Sequence, residues 1–237
     1  MHTGLSLPRL LDAGIVGCLC ITLGALVYGH CDADGIGLSL ADSYITEYMK
    51  MAPHWPWLIV ASFAFALLLF LLALAFLMRN ERSVLVLVGS LLLAATAMGN
   101  FFVAYAPMRR VEQPPPPARE WWTPTWWFTS QTSHTPYENG MADAYSDVHY
   151  RAIRLVVSMG LAGILSIALG LFGASQTRLF AIFTFGALVA MAVLFWMTDY
   201  VTWHHGTWQR LGFGVMYAWL WCAWWCSRKG RPSDHKA

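Results

Sequence analysis

The residues of this chain that are able to do chemistry are histidines and carboxylates, and they recur near the ends of apolar runs. His149 lies in D-V-H-Y-R-A, and His204 and His205 lie in T-D-Y-V-T-W-H-H-G-T-W-Q-R, which runs from Thr198 to Arg210. Neutral imidazole is a common ligand for zinc, copper and iron, and an aspartate can orient the ring or join the metal. His149, His204 and His205 therefore form a candidate metal set, and Asp147, Asp199, Gln209 and Arg210 extend it to a candidate polar site. Adjacent residues on a helix point about 100 degrees apart, so only one of His204 and His205 is expected to face a bundle. The competing reading is structural. Histidine, tryptophan, tyrosine and arginine at the ends of membrane spans are ordinary interface anchors, and the composition favours that reading. Asp199 has a simpler use as partner of Arg210 or Arg154, and Gln209 and Arg210 suit lipid phosphates. No phosphate loop, dinucleotide glycine motif, H-E-x-x-H or nucleophile elbow occurs in the sequence.

What must position these residues is a set of membrane spans. Hydrophobic residues make up 57% of the 237 and charged residues 12%, whereas soluble domains carry roughly 25% charged residues. Charges are nearly absent from runs close to the ~20 residues that cross ~30 Å of hydrocarbon. The sequence predicts an all-α, polytopic six-helix bundle forming a single domain over 1–237. Its spans are expected at about 13–28, 57–78, 83–105, 152–172, 179–197 and 211–225, with long connections at 31–56, 106–150 and 198–210. The first run has the length of a signal-peptide core, but its exit, V-Y-G-H-C-D-A-D, lacks a small-x-small cleavage site, so it is read as a retained span. A net charge of +2 gives no reason to expect a nucleic-acid partner. Cys18, Cys20, Cys222 and Cys226 fall inside apolar runs and only Cys31 at a span end, which predicts no intrachain disulfide framework. Cys222 and Cys226 are read as small packing residues.

The connections differ in character. In the first, L-A-D-S-Y-I-T-E-Y-M-K-M predicts a short interfacial helix capped by Asp42 or Ser43, with Tyr44, Ile45, Tyr48 and Met49 on one side. In the second, Pro114 to Pro117 predict an extended spacer. Trp121, Trp122, Trp126 and Trp127 follow, and are expected to rest in the interface or to pack over the bundle as a lid. Aromatic cages for cations use such residues too. Asp143, Asp147, Arg151 and Arg154 are spaced as one ion-pairing stripe on a helix entering the fourth span. Asn100, the one strongly polar residue of the third span, is expected to hydrogen-bond between helices.

Six spans put both termini on one side. That side carries eight basic residues against three acids, and the other seven against ten. The excess of lysine and arginine in short connections predicts cytoplasmic termini in a cell's inner membrane, with His149, the tryptophan-rich stretch and the 198–210 connection facing the periplasm.

Two resemblances follow from the motifs. D-S-Y-I-T-E-Y with P-H-W-P-W-L before the second span, D-V-H-Y-R-A entering the fourth and G-T-W-Q-R-L entering the sixth resemble an uncharacterised prokaryotic six-span family, family 998 of the domains of unknown function. That resemblance covers most of the chain and implies a fold and no activity. A fainter likeness is to the alkaline-ceramidase and progestin-receptor-like superfamily of membrane hydrolases, which hold zinc with three histidines beside a serine and an aspartate in seven spans. Ser146, His149, Asp199, His204 and His205 offer those residue types here, without an H-x-x-x-H spacing. The expectation is a non-enzymatic membrane protein, serving as a subunit of a membrane assembly or as binder of a lipid-like molecule on the periplasmic side. Its partners are then the lipid bilayer, other membrane subunits or a lipophilic ligand. The alternative is a metal-dependent hydrolase or redox enzyme using the outer-face histidines.

Overall fold

Continuous apolar runs of about 20 residues, without the alternation of a barrel strand, leave the α-helix as the way to satisfy backbone N–H and C=O groups without water. The computed structural model describes residues 6–31, 40, 45, 52–78, 83–105, 144–173, 175, 177–200 and 204–229, and is all-helical over them apart from turns. Six long helices follow in order: α1 Leu7–Gly29, α2 Trp55–Leu77, α3 Val84–Tyr105, α4 Ala144–Phe172, α5 Arg178–Tyr200 and α6 His205–Lys229. Among the described residues, α1 to α5 contain stretches long and apolar enough to cross a membrane. At 25 residues α6 is also long enough, since ~1.5 Å per residue gives about 37 Å. Its five tryptophans, its tyrosine and the polar first turns H-G-T-W-Q-R lower its hydropathy.

The helices outrun the apolar runs that announce them. α1 starts at Leu7, before residue 13: the Ser6 carbonyl accepts the N–H groups of Arg9 and Leu10, and Pro8 sits in the first turn, where its missing N–H costs nothing. Pro56 does the same for α2. The 198–210 connection is the clearest correction. Thr198 to Tyr200 complete α5 and His205 to Arg210 form the first turns of α6, so most of that stretch is helix rather than loop. A helix leaving hydrocarbon keeps its backbone bonds, so polarity marks where the apolar run stops but not where the helix stops. Of the stretch expected to form a short helix in the first connection only Leu40, in a turn, and Ile45, in helix, are described. The polyproline spacer and Trp121, Trp122, Trp126 and Trp127 lie outside the described residues.

Neighbours in sequence are neighbours in space: α1 packs on α2, α2 on α3, α3 on α4, α4 on α5 and α5 on α6, with α6 reaching back to α2. One buried core joins all six, from Ile15 and Leu19 of α1 through Leu72, Leu93, Ile167 and Met191 to Trp219 of α6. α3 and α4 approach closely where Gly89 and Gly163 face one another. A Cβ on Gly89 would stand 2.7 Å from the Gly163 carbonyl oxygen. Polar side chains pin other pairs. The Asn100 amide donates to the Ser62 carbonyl of α2 at 2.8 Å, as its isolation in an apolar span predicts. The fully buried Trp219 donates from Nε1 to Thr184 Oγ1 of α5 at 3.1 Å. The hydroxyls of Tyr217 in α6 and Thr22 in α1 are hydrogen-bonded. None of the five cysteines forms a disulfide; Cys226 is buried and Cys222 exposed, so of these two only Cys226 packs as expected.

Candidate functional site

Alternation of direction gathers the helix ends into two groups. The terminal end holds the starts of α1, α3 and α5 and the finishes of α2, α4 and α6. The distal end holds the opposite set, as shown by Gly29 against Leu58, Gly99 against Leu155, and Gly212 against Phe195. Asp147 and His149 fall in the first two turns of α4, Asp199 in the last turn of α5, and His204 and His205 at the start of α6. Their backbone positions therefore share the distal end. The side chains of Asp147, His149, Asp199 and His205 lie outside the described residues. Among the described residues no group of three or more histidines, cysteines or carboxylates is placed to hold a metal ion.

Three members of the candidate site are described in detail. His204 is exposed and has φ of 57°, the left-handed region, where a non-glycine residue is uncommon. Its carbonyl accepts the Trp208 N–H at 3.1 Å and so closes the first turn of α6. Gln209 and Arg210 sit one turn later, half-buried, and both reach across to the first connection. The Ile45 N–H donates to Gln209 Oε1 at 2.7 Å, and Arg210 Nη1 donates to the Leu40 carbonyl at 2.8 Å. Two backbone groups of a polar connection are thereby held against the start of α6. Sequence spacing alone does not announce this, because the partners are 164 and 170 residues apart.

A further histidine belongs to the same place. His30 closes α1, and its Nδ1 donates to the Leu26 carbonyl at 2.6 Å. A carbonyl only accepts, so the ring proton sits on Nδ1. Burial holds the His30 pKa below its ordinary value, the Leu26 bond opposes that, and the nearby positive charge of Arg210 lowers it further. His30 is neutral near pH 7 in consequence. Around it the distal end is aromatic: Tyr28 lies 4.5 Å from the His54 ring and edge-on to Trp57 at 5.6 Å, centroid to centroid. Tyr28, Trp55, Trp57 and Trp196 are all exposed, as rings at a membrane interface are expected to be. The signal for His30 was present, since a histidine four residues after Leu26 at a helix end can reach that carbonyl. Its neighbour in space, Arg210, is 180 residues away in sequence and gives no such signal.

The arrangement anchors a connection and offers an aromatic rim. It brings no described nucleophile to a described base. Comparison with protein families, curated proteins and solved structures returns no match to this chain.

Proposed function

We propose that this chain is a six-span inner-membrane protein with cytoplasmic termini, and that its periplasmic distal end binds without catalysis. The partner is a lipid-like molecule or another membrane subunit. The observation that carries this reading is the use made of Gln209 and Arg210. Their described hydrogen bonds go to main-chain groups of the first connection, at the end of the bundle that also exposes Tyr28, Trp55, Trp57 and Trp196. Side chains occupied in this way build a surface rather than a reaction centre. The resemblance of its motifs to the six-span family of unknown function belongs to the same proposal, and adds a fold without an activity. Extraction in a mild detergent followed by native mass measurement tests it. A co-purifying lipid or subunit, reduced when Gln209 and Arg210 are both replaced by alanine, is the expected result. A bare monomer from the wild type would sink the proposal.

A metal-dependent hydrolase or redox enzyme is the second reading. It draws support from the convergence of Asp147, His149, Asp199, His204 and His205 on one end by backbone position. Elemental analysis separates the two. Stoichiometric zinc, copper or iron that is lost in His149→Ala supports the enzyme, and substoichiometric metal insensitive to that change removes it.

A further inference from the structure

The last two turns of α6 carry a constellation that the distal-end reading does not use. Trp221, Trp224, Trp225 and Arg228 recur at spacings of three and four, and so share one side of the helix. Trp224 packs edge-on to the other two indoles, with ring centroids 5.6 and 6.5 Å away. Its Nε1 donates to Oδ1 of Asp12 in α1 at 3.2 Å. Arg228 lies over the same indole, 5.2 Å from its centroid, and its Nε sits 3.6 Å from Oδ2 of Asp12. The guanidinium is thus held by one edge while the side chain stays 49% exposed. Trp221 and Trp225 are exposed beside it.

We propose that this face binds an acidic phospholipid, with Arg228 on the phosphate and the acyl chains lying along Trp221 and Trp225. Charge complementarity selects the occupant. By sequence, the terminal side carries eight basic residues against three acids, and Arg228, Lys229, Arg231 and Lys236 follow closely on one another. Arg9, on α1 one turn before Asp12, is exposed as well. Basic clusters at the end of a transmembrane helix attract anionic headgroups, and basic pockets between helices hold them. Indoles prefer headgroup depth, and a planar guanidinium matches phosphate oxygens. Asp12 uses one edge of Arg228 and fixes its direction, so it positions the cation without cancelling the excess charge around it. A second copy of the chain on this face would bring two basic ends together and bury Arg228, which disfavours it. The proposal depends on the chain spanning a bilayer, and not on what its distal end binds.

The test uses the full chain in nanodiscs of equal phosphatidylglycerol and phosphatidylethanolamine, released for native mass measurement of retained lipid. Wild type is expected to retain phosphatidylglycerol in excess. Arg228→Gln should lower that retention about fivefold, the equivalent of roughly 1 kcal/mol per basic residue at an anionic surface. Asp12→Asn breaks the interhelical pair but keeps the cation, and should leave retention unchanged or raise it. Equal retention of the two lipids by wild type, equal loss in both variants, or a dimer without bound lipid would each overturn the proposal. Equal loss would mean that Arg228 acts only as a tie between α1 and α6. Should Arg228→Gln fail to fold, quenching of wild-type tryptophan fluorescence decides instead. Brominated phosphatidylglycerol must then quench more strongly than brominated phosphatidylethanolamine, and equal quenching refutes the site.

Discussion

Replacing Gly89 with alanine probes a close backbone contact between α3 and α4. The new Cβ would stand 2.6 Å from Ile167 Cγ1, 2.7 Å from the Gly163 carbonyl oxygen and 2.9 Å from the Ile167 nitrogen. Two of these neighbours are backbone atoms of α4, which cannot swing aside as the end of a side chain does. α3 and α4 must separate instead, and the separation loosens the contacts of Val86, Leu93, Ile167 and Leu171 that the same seam buries. Overpacking of this kind costs about 1–3 kcal/mol. Alanine recovers part of that, because glycine inside a helix is worse by roughly 0.5–1 kcal/mol. The net expectation for Gly89→Ala is a loss of about 1–2 kcal/mol. Gly24 and Gly186 supply the control, since a Cβ on either meets nothing within 4 Å. Gly24→Ala and Gly186→Ala should be neutral or stabilising by up to about 1 kcal/mol. Equilibrium unfolding in mixed micelles of a mild detergent and dodecyl sulfate, followed by far-ultraviolet helicity, reads all three against wild type. If Gly89→Ala is as stable as Gly24→Ala, the close approach of α3 and α4 is wrong.

Two further outcomes concern the distal end. Gln209→Ala removes the acceptor of the Ile45 N–H, and should speed hydrogen exchange at Ile45 about fivefold, as expected for a bond with a net worth near 1 kcal/mol; unchanged exchange would refute the anchoring of the first connection. Because the folded pKa of His30 is lowered, the unfolded chain takes up a proton first, near its ordinary value of about 6.5. Stability is therefore full above that value and falls with pH below it, until the folded ring is protonated in turn. His30→Gln should flatten this dependence in micelle unfolding between about pH 7 and 5, and a slope identical to wild type would show that His30 is not its source.

The sequence by itself determined the helices and their order, because water is absent from hydrocarbon and a chain with such apolar runs has no other way to pair its backbone. It also identified Asn100 as a group needing a partner on another helix, since a lone amide in an apolar span has few alternatives. Helix ends were less legible. Hydropathy reports where side chains become polar, whereas Thr198 to Tyr200 and His205 to Arg210 stay helical beyond that point. Which groups meet was decided by the tertiary structure alone. Gln209 with Ile45, Arg210 with Leu40, and Asp12 with Trp224 and Arg228 are separated by 164 residues or more. Local spacing sets the face a residue occupies on its own helix. Only the packing of α6 against the start of the chain sets what that face touches, because side-chain contacts between distant helices depend on their rotation and depth, and no periodicity within either helix records these.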